Sequence, residues 1–213
     1  DEVDVEYIEE DLPKLIDSMK IGCDRIRQLV LSLRNFARLD ESHLKAVDLH
    51  EGIESTLLIL QHCLKASPDC AAIQTSKNYG ELPLVECYPS QLNQVFMNLL
   101  GNAIDALKEQ ARNAPPLWHP KISIRTYMSE PNWVNIAIAD NGTGIPDEVK
   151  MKLFDPFFTT KPVGKGTGLG LSICHQIVTE KHKGKIYCYS TLGQGTEFVV
   201  QIPVRQGIGQ VGA

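Results

Sequence analysis

The sequence predicts an α+β fold in which a long heptad-patterned helix precedes a body of interleaved strands and helices. Three observations carry this. Apolar residues at Ile8, Leu12, Leu15, Met19, Ile26, Leu29, Leu33 and Phe36, with Gly22 as one gap, recur at spacings of four and three, the seam of a helix that packs on other helices. A second helix opens at Pro89 and carries Leu92, Val95, Phe96, Leu99, Leu100, Ala103, Ile104 and Leu107 on one side. Around it lie β-rich runs at 121–127, 133–140, 185–190 and 196–204.

The elements follow in order. Pro13 is compatible with a first helical turn, so Asp11 is the expected N-cap of a helix over 12–39. Its apolar stripe needs a second helix, from this chain or a partner. Residues 41–47 form a polar hinge. Asp48 to Leu64 is expected to be helical, with Leu49, Ile53, Leu57 and Leu60 on one face. Short strands are expected at 73–79 and 84–87, and Pro115-Pro116 marks a loop. The runs 121–127 and 133–140 should pair, and a helix should span 170–181. The Gly-rich end from Gln206 is expected to be mobile. The expected units are 1–45, an interaction helix; 46–205, the main domain; and 206–213, a tail.

Composition bounds the function. Of 213 residues, 43% are hydrophobic and 22% charged, the balance of a chain with a core rather than of a disordered one. The net charge of −5 argues against a general nucleic-acid binder. No apolar run approaches the roughly 20 residues needed to span a bilayer, so no membrane contact is expected. The chain opens on Asp1-Glu2-Val3-Asp4, without an initiator Met or signal peptide. It reads as a cytoplasmic fragment of a longer protein, itself soluble or membrane-anchored. The six Cys form no C-x-x-C and read as small core thiols.

Four segments carry chemistry. Asn98 and Asn102 stand one above the other on a helix whose other side is apolar, and carboxamide oxygens suit Mg²⁺ beside phosphates. Alone, Asn on an exposed helix face is commonplace. Asp140-Asn141-Gly142-Thr143-Gly144-Ile145 follows an apolar strand. Its carboxylate can accept from an exocyclic amine, and its glycines permit close backbone approach, although a tight turn alone would read the same way. Phe154-Asp155-Pro156-Phe157-Phe158 leads into Thr159, Thr160 and Lys161, hydroxyls and an ammonium suited to phosphate. Finally Lys165-Gly166-Thr167-Gly168-Leu169-Gly170-Leu171 feeds a helix N-terminus. Such a loop offers free N–H groups to an anion, yet it is neither a P-loop nor a Rossmann turn.

In this order the four segments resemble the N box, first glycine box, F box and second glycine box of sensor histidine kinases. These belong to a superfamily that also holds gyrase, the heat-shock chaperone ATPase and the mismatch-repair ATPase. Gly193-Gln194-Gly195-Thr196-Glu197-Phe198 resembles that family's late Gly-Thr at the adenine pocket. The likeness covers 46–204, and the heptad helix resembles the second helix of the family's dimerisation domain. It implies a two-layer α/β sandwich of the Bergerat type, a mixed sheet covered by helices, with ATP between helix and sheet. It implies that Asn102 ligates Mg²⁺ and that Asn98 assists at the phosphates. Asp140 would accept from the adenine amine, with Gly142, Gly144 and Ile145 beside it. Thr159, Thr160, Lys161 and Lys165 would belong to a lid that orders on nucleotide binding. Gly166, Thr167, Gly168, Leu169, Gly170 and Leu171 would cradle the phosphates, and Thr196 would support the adenine side. The implied partners are ATP, a response regulator receiver domain and a second copy through the heptad helix.

Two departures stand out. Many family members carry a basic residue where this chain has Asp105, so a phosphate contact there is replaced by an acid, with Lys161 or Lys165 as the compensating cation. None of the six His has the acceptor pattern of a following acid and a Pro five positions on. His50-Glu51 begins it, but residue 55 is Ser. The expected function is thus the ATP-binding part of a protein histidine kinase, a transferase, without its own acceptor His. Two alternatives are an ATPase that drives conformational change, in which Glu usually stands at the position of Asn98, and a degenerate nucleotide-binding scaffold.

Overall fold

The computed structural model describes residues 43–67, 70–112, 114–161 and 168–207, together with Leu12, Ile16 and Met19. The heptad helix expected over 12–39 falls largely outside the described residues. The three of its span that are described are helical and exposed, at 51, 43 and 62% for Leu12, Ile16 and Met19.

A short strand, β1 (Lys45–Val47), enters the body and pairs antiparallel with β3 (Val85–Cys87). Between them come α1 (Leu49–Ile59), α2 (Gln61–Leu64) and β2 (Gln74–Tyr79). The single helix expected over 48–64 is two. Asp48 lies outside it as N-cap, its carboxylate accepting from the His50 N–H at 2.8 Å. The turn breaks at Leu60, whose N–H still bonds the Thr56 carbonyl.

The rest follows as α3 (Pro89–Ala111), β4 (Lys121–Glu130), β5 (Trp133–Asp140), the single turn α4 (Asp147–Lys150), α5 (Gly170–Gln176), β6 (Lys185–Thr191) and β7 (Gly195–Pro203). Five strands form one mixed sheet in the order β2-β4-β5-β7-β6, with β2 parallel to β4 and the other pairs antiparallel. β4 outruns its expected end because its ladder with β5 continues past a bulge to Glu130 opposite Trp133.

Alternation decides which face is covered. Ile122 and Ile124 of β4, Ile136 and Ile138 of β5 and Val200 and Ile202 of β7 are all buried. They meet the stripe of α3, in which all eight expected inward residues are buried, and α1 adds Leu49, Ile53 and Leu57. The result is two layers, helices over a sheet. Cys70, Cys87 and Cys174 are buried thiols, and Cys63 and Cys188 are half-buried; Cys23 lies outside the described residues.

The helix expected over 170–181 keeps α geometry only to Gln176 and continues as a π turn, Ile177–Lys181. The widened turn brings buried His182 back under Ile177. The His182 ring Nδ1–H donates to the Ile177 carbonyl at 2.9 Å, and Nε2 accepts from the Tyr88 N–H at 3.0 Å. An amide can only donate, so Nε2 is the bare nitrogen and the ring is neutral. Burial pushes its pKa down, in agreement. This ring joins the end of the α5 segment to the start of α3. At the other terminus, Gln206 is tied by its N–H to Glu86 Oε2 at 3.1 Å, and residues 208–213 lie outside the description.

Candidate functional site

α3 sets the first wall. Its buried stripe leaves Asn98, Asn102 and Asp105 on the other side, one helical turn apart. Asn98 Nδ2 donates to the Gly170 carbonyl at 3.1 Å and so fixes the start of α5. The Lys161 ammonium bonds Asp105 Oδ2 at 2.6 Å and Asn102 Oδ1 at 3.3 Å. The acid expected to subtract a phosphate contact thus binds one of the two lysines expected to compensate.

The end of β5 sets the second wall. Asp140 accepts the Gly142 N–H at 2.8 Å. Burial pushes its carboxyl up to about 6, against the pull of the Gly142 and Thr196 N–H groups. No ion pair reaches it among the described residues. The two glycines expected to admit a ligand have another, internal reason. A Cβ on Gly142 would stand 2.9 Å from both the Ala106 carbonyl carbon and Asp140 Oδ1. Gly144 has φ of 70°, and a Cβ there would lie 2.2 Å from the Thr191 oxygen. Asn141, between them, is structural: it accepts the Lys121 N–H at 2.8 Å and donates to the His119 carbonyl at 2.9 Å.

Behind Asp140, Thr196 lies opposite it in the β5–β7 register. Ser190 is the hub that the sequence reading missed. Its hydroxyl donates to the Gly195 carbonyl at 2.9 Å and accepts the Ile145 N–H at 2.8 Å. With its one proton used, it accepts from Thr196 Oγ1 at 2.9 Å. Counting back from the Gly193 turn in a hairpin puts Ser190 across from Thr196, which was the available signal. Gly195 has φ of 111°, and a Cβ there would lie 2.0 Å from the Asp140 carbonyl oxygen.

The third side runs from Phe154, half-buried against the core, to Lys161. Phe157 is exposed with φ of 66°. A Cβ on Gly168 would stand 2.4 Å from the Phe157 carbonyl carbon, so the chain returns to touch itself there. Thr159 and Thr160 are exposed, and Thr159 Oγ1 accepts the Lys161 N–H at 3.1 Å. Leu169 accepts from the Ser172 hydroxyl at 2.9 Å, and Leu171 packs on the core. Lys165, Gly166 and Thr167 lie outside the described residues.

Could this cluster hold Mg²⁺? The described residues contain no group of three or more His, Cys, Asp or Glu around a common point. A divalent ion would therefore take Asn102 from the protein and its remaining oxygens from water or phosphate, the usual manner of Mg²⁺. The ammonium already at Asn102 Oδ1 shows that this oxygen accepts a cation. A separate cavity of about 180 Å³ between the starts of α1 and α3 shares no residue with this cluster.

Residues 87–206 match the family described as histidine kinase-, DNA gyrase B- and HSP90-like ATPases. Sensor kinase CckA of Brucella abortus is 35% identical over 195 residues, covering 88% of this chain and 20% of CckA. The catalytic domain of histidine kinase ThkA is 30% identical with a TM-score of 0.60, covering 76% of this chain and 98% of that domain. A structure of ThkA in complex with response regulator protein TrrA is 25% identical with a TM-score of 0.59, covering 92% of this chain and 52% of ThkA. The chain spans about a fifth of the length of CckA.

Proposed function

Since this chain belongs to the histidine kinase-, DNA gyrase B- and HSP90-like ATPase family, we propose that it is the ATP-binding catalytic part of a sensor histidine kinase. The observation that carries the reading is Asp140. A carboxylate so largely desolvated, with no cation paired to it among the described residues, is costly to keep unless a ligand uses it. An amine at the adenine edge is such a ligand, and the Ser190–Thr196–Ile145 network holds the surrounding backbone in place.

The residues then divide the work. Asp140 accepts from the exocyclic amine and fixes the base. Asn98 and Asn102, on rigid α3, face the phosphates, with Asn102 holding Mg²⁺. Mg²⁺, when bound, neutralises charge on the phosphates. Thr159, Thr160, Lys161 and Lys165 supply hydroxyl and ammonium donors, and the segment 166–171 supplies backbone N–H groups at the start of α5. Phosphoryl transfer asks for in-line positioning and charge neutralisation more than covalent chemistry from the protein, and this set offers those. Asn98 cannot act as a base toward water, which favours transfer over hydrolysis. The acceptor is a His outside the patterns of this sequence, and the phosphoryl group passes from it to an Asp of a response regulator. The similarity to ThkA, solved in complex with response regulator protein TrrA, supports that partner. A cytoplasmic setting and a homodimer through the heptad helix, in the intact protein, complete the proposal.

Calorimetric titration with a non-hydrolysable ATP analogue tests it. Saturable, Mg²⁺-dependent binding that loses its metal dependence in Asn102→Ala is expected. Labelled ATP should then phosphorylate a separately supplied dimerisation domain. Binding with steady hydrolysis and no transfer would favour a conformational ATPase instead, and no binding would leave a scaffold.

A further inference from the structure

Lys161 lies where the metal is needed. α3 presents Asn102 and Asp105 on one face, and a single ammonium bridges them at 3.3 and 2.6 Å. Mg²⁺ takes oxygen ligands at about 2.0–2.1 Å and keeps a tight water shell. An ammonium within hydrogen-bond distance of Asn102 Oδ1 occupies one of its two lone pairs and repels a divalent ion there by charge.

We propose that Lys161 is an internal competitor of the divalent cation at Asn102, and that Asp105 positions it there. The inference rests on the nucleotide reading above. Asp105 is what makes the competition effective: a lone ammonium 3.3 Å from a neutral carbonyl is held weakly, whereas the carboxylate contact at 2.6 Å is charge-assisted. The Lys161 main chain is also restrained, through its N–H to Thr159 Oγ1. With a divalent ion held at Asn102, Lys161 would leave that oxygen and its ammonium would be free for the phosphates. Asn102 is thus plugged toward the metal, not toward the nucleotide. The Lys161 and Asp105 side chains are 36 and 55% exposed, so the plug is modest by construction. An exposed pair shifts an equilibrium by about two- to five-fold.

The test uses the full 213-residue chain and a fluorescent, non-hydrolysable ATP analogue. Mg²⁺ is titrated at fixed nucleotide for wild type, Lys161→Met and Lys161→Arg, and nucleotide is titrated separately in EDTA. Lys161→Met should lower the half-saturating Mg²⁺ two- to five-fold without improving metal-free affinity. Lys161→Arg, which keeps the cation, should stay near wild type. Binding by wild type with an unchanged or raised Mg²⁺ midpoint in Lys161→Met would overturn the competitor role and leave the nucleotide reading intact. Failure of wild type to bind the analogue at all would overturn the reading, and this inference with it.

Discussion

Asp140 concentrates the conflict between stability and function in one residue. Its folded pKa of about 6 lies above the ordinary 3.8, so its contribution to stability is present below pH 3.8 and is lost as pH rises through about 6. At neutral pH the buried charge destabilises the fold by up to about 3 kcal/mol, the equivalent of a two-unit rise. Asp140→Asn keeps an acceptor for the Gly142 N–H and removes the charge. Its Tm at pH 7 should rise by a few degrees in a calorimetric scan, and the gain should shrink toward pH 5 as the wild-type carboxyl protonates. The same variant should bind the ATP analogue at least about tenfold more weakly, the loss expected when a buried amine acceptor is replaced by a poorer one. Wild-type affinity should itself fall below pH 6, since a protonated carboxyl is a weaker acceptor. A variant no more stable than wild type at pH 7 would mean that the charge is compensated by solvent.

At the scale of elements, two joints deserve perturbation. The β6–β7 hairpin contains two glycines with positive φ, at 77° for Gly193 and 111° for Gly195. Only Gly195 lies against another strand, with the Asp140 carbonyl oxygen 2.0 Å from its would-be Cβ; Gly193 meets nothing within 4 Å. Gly193→Ala should cost about 1 kcal/mol, the left-handed penalty alone. Gly195→Ala should cost at least about 3 kcal/mol, because the strand bearing Asp140 must move. Urea denaturation of both variants makes the comparison. The second joint is His182. His182→Ala strands the Tyr88 N–H, while the Ile177 carbonyl keeps the residue-182 N–H at 3.2 Å, and opens a void, for roughly 3 kcal/mol in all. Because burial holds the His182 pKa below 6.5, its contribution is full above that pH and fades as pH falls below it. The variant should therefore lose less stability than wild type between pH 6.5 and 5. These joints mark the limit of what sequence patterns reveal. The stripe of α3 and the alternation of β4 were legible because one buried face forces a period, whereas β5 and β7, buried on both faces over much of their length, were legible by their apolar, β-rich composition. Asn98 and Asn102 stand out as candidates because they are carboxamides on the side of α3 opposite its apolar stripe, and Asp140 because it is an acid closing an apolar strand. The π turn and Ser190 were not, since a wide turn leaves no periodic trace and a serine near a strand end is common. Nor does spacing disclose that Gly142 is glycine on account of Ala106.

At the scale of the molecule, residues 43–207 already bury a two-layer core, and every described member of that core is at Leu49 or beyond. The amino-terminal segment is different. Its heptad seam runs from Ile8 to Phe36, and Leu12, Ile16 and Met19 remain 43–62% exposed. Each fully exposed side chain of this size forgoes about 1.5–3 kcal/mol of burial, so several together favour a partner. A second copy is the simplest one, because a heptad seam fits itself. The 213-residue chain should therefore self-associate as concentration rises toward about 1 mM, where a net association free energy of about −4 kcal/mol suffices. A chain of residues 43–213 should stay monomeric and still bind the ATP analogue. Multi-angle light scattering over a concentration series separates the two. Leu12→Asp with Met19→Asp in the full chain should shift it to monomer without changing nucleotide affinity, since both residues are exposed and neither belongs to the core cluster that α3 and β5 build. A full-length chain that stays monomeric across the series would assign the stripe to a different partner helix. Loss of nucleotide binding in the truncated chain would instead show that the amino-terminal segment completes the site.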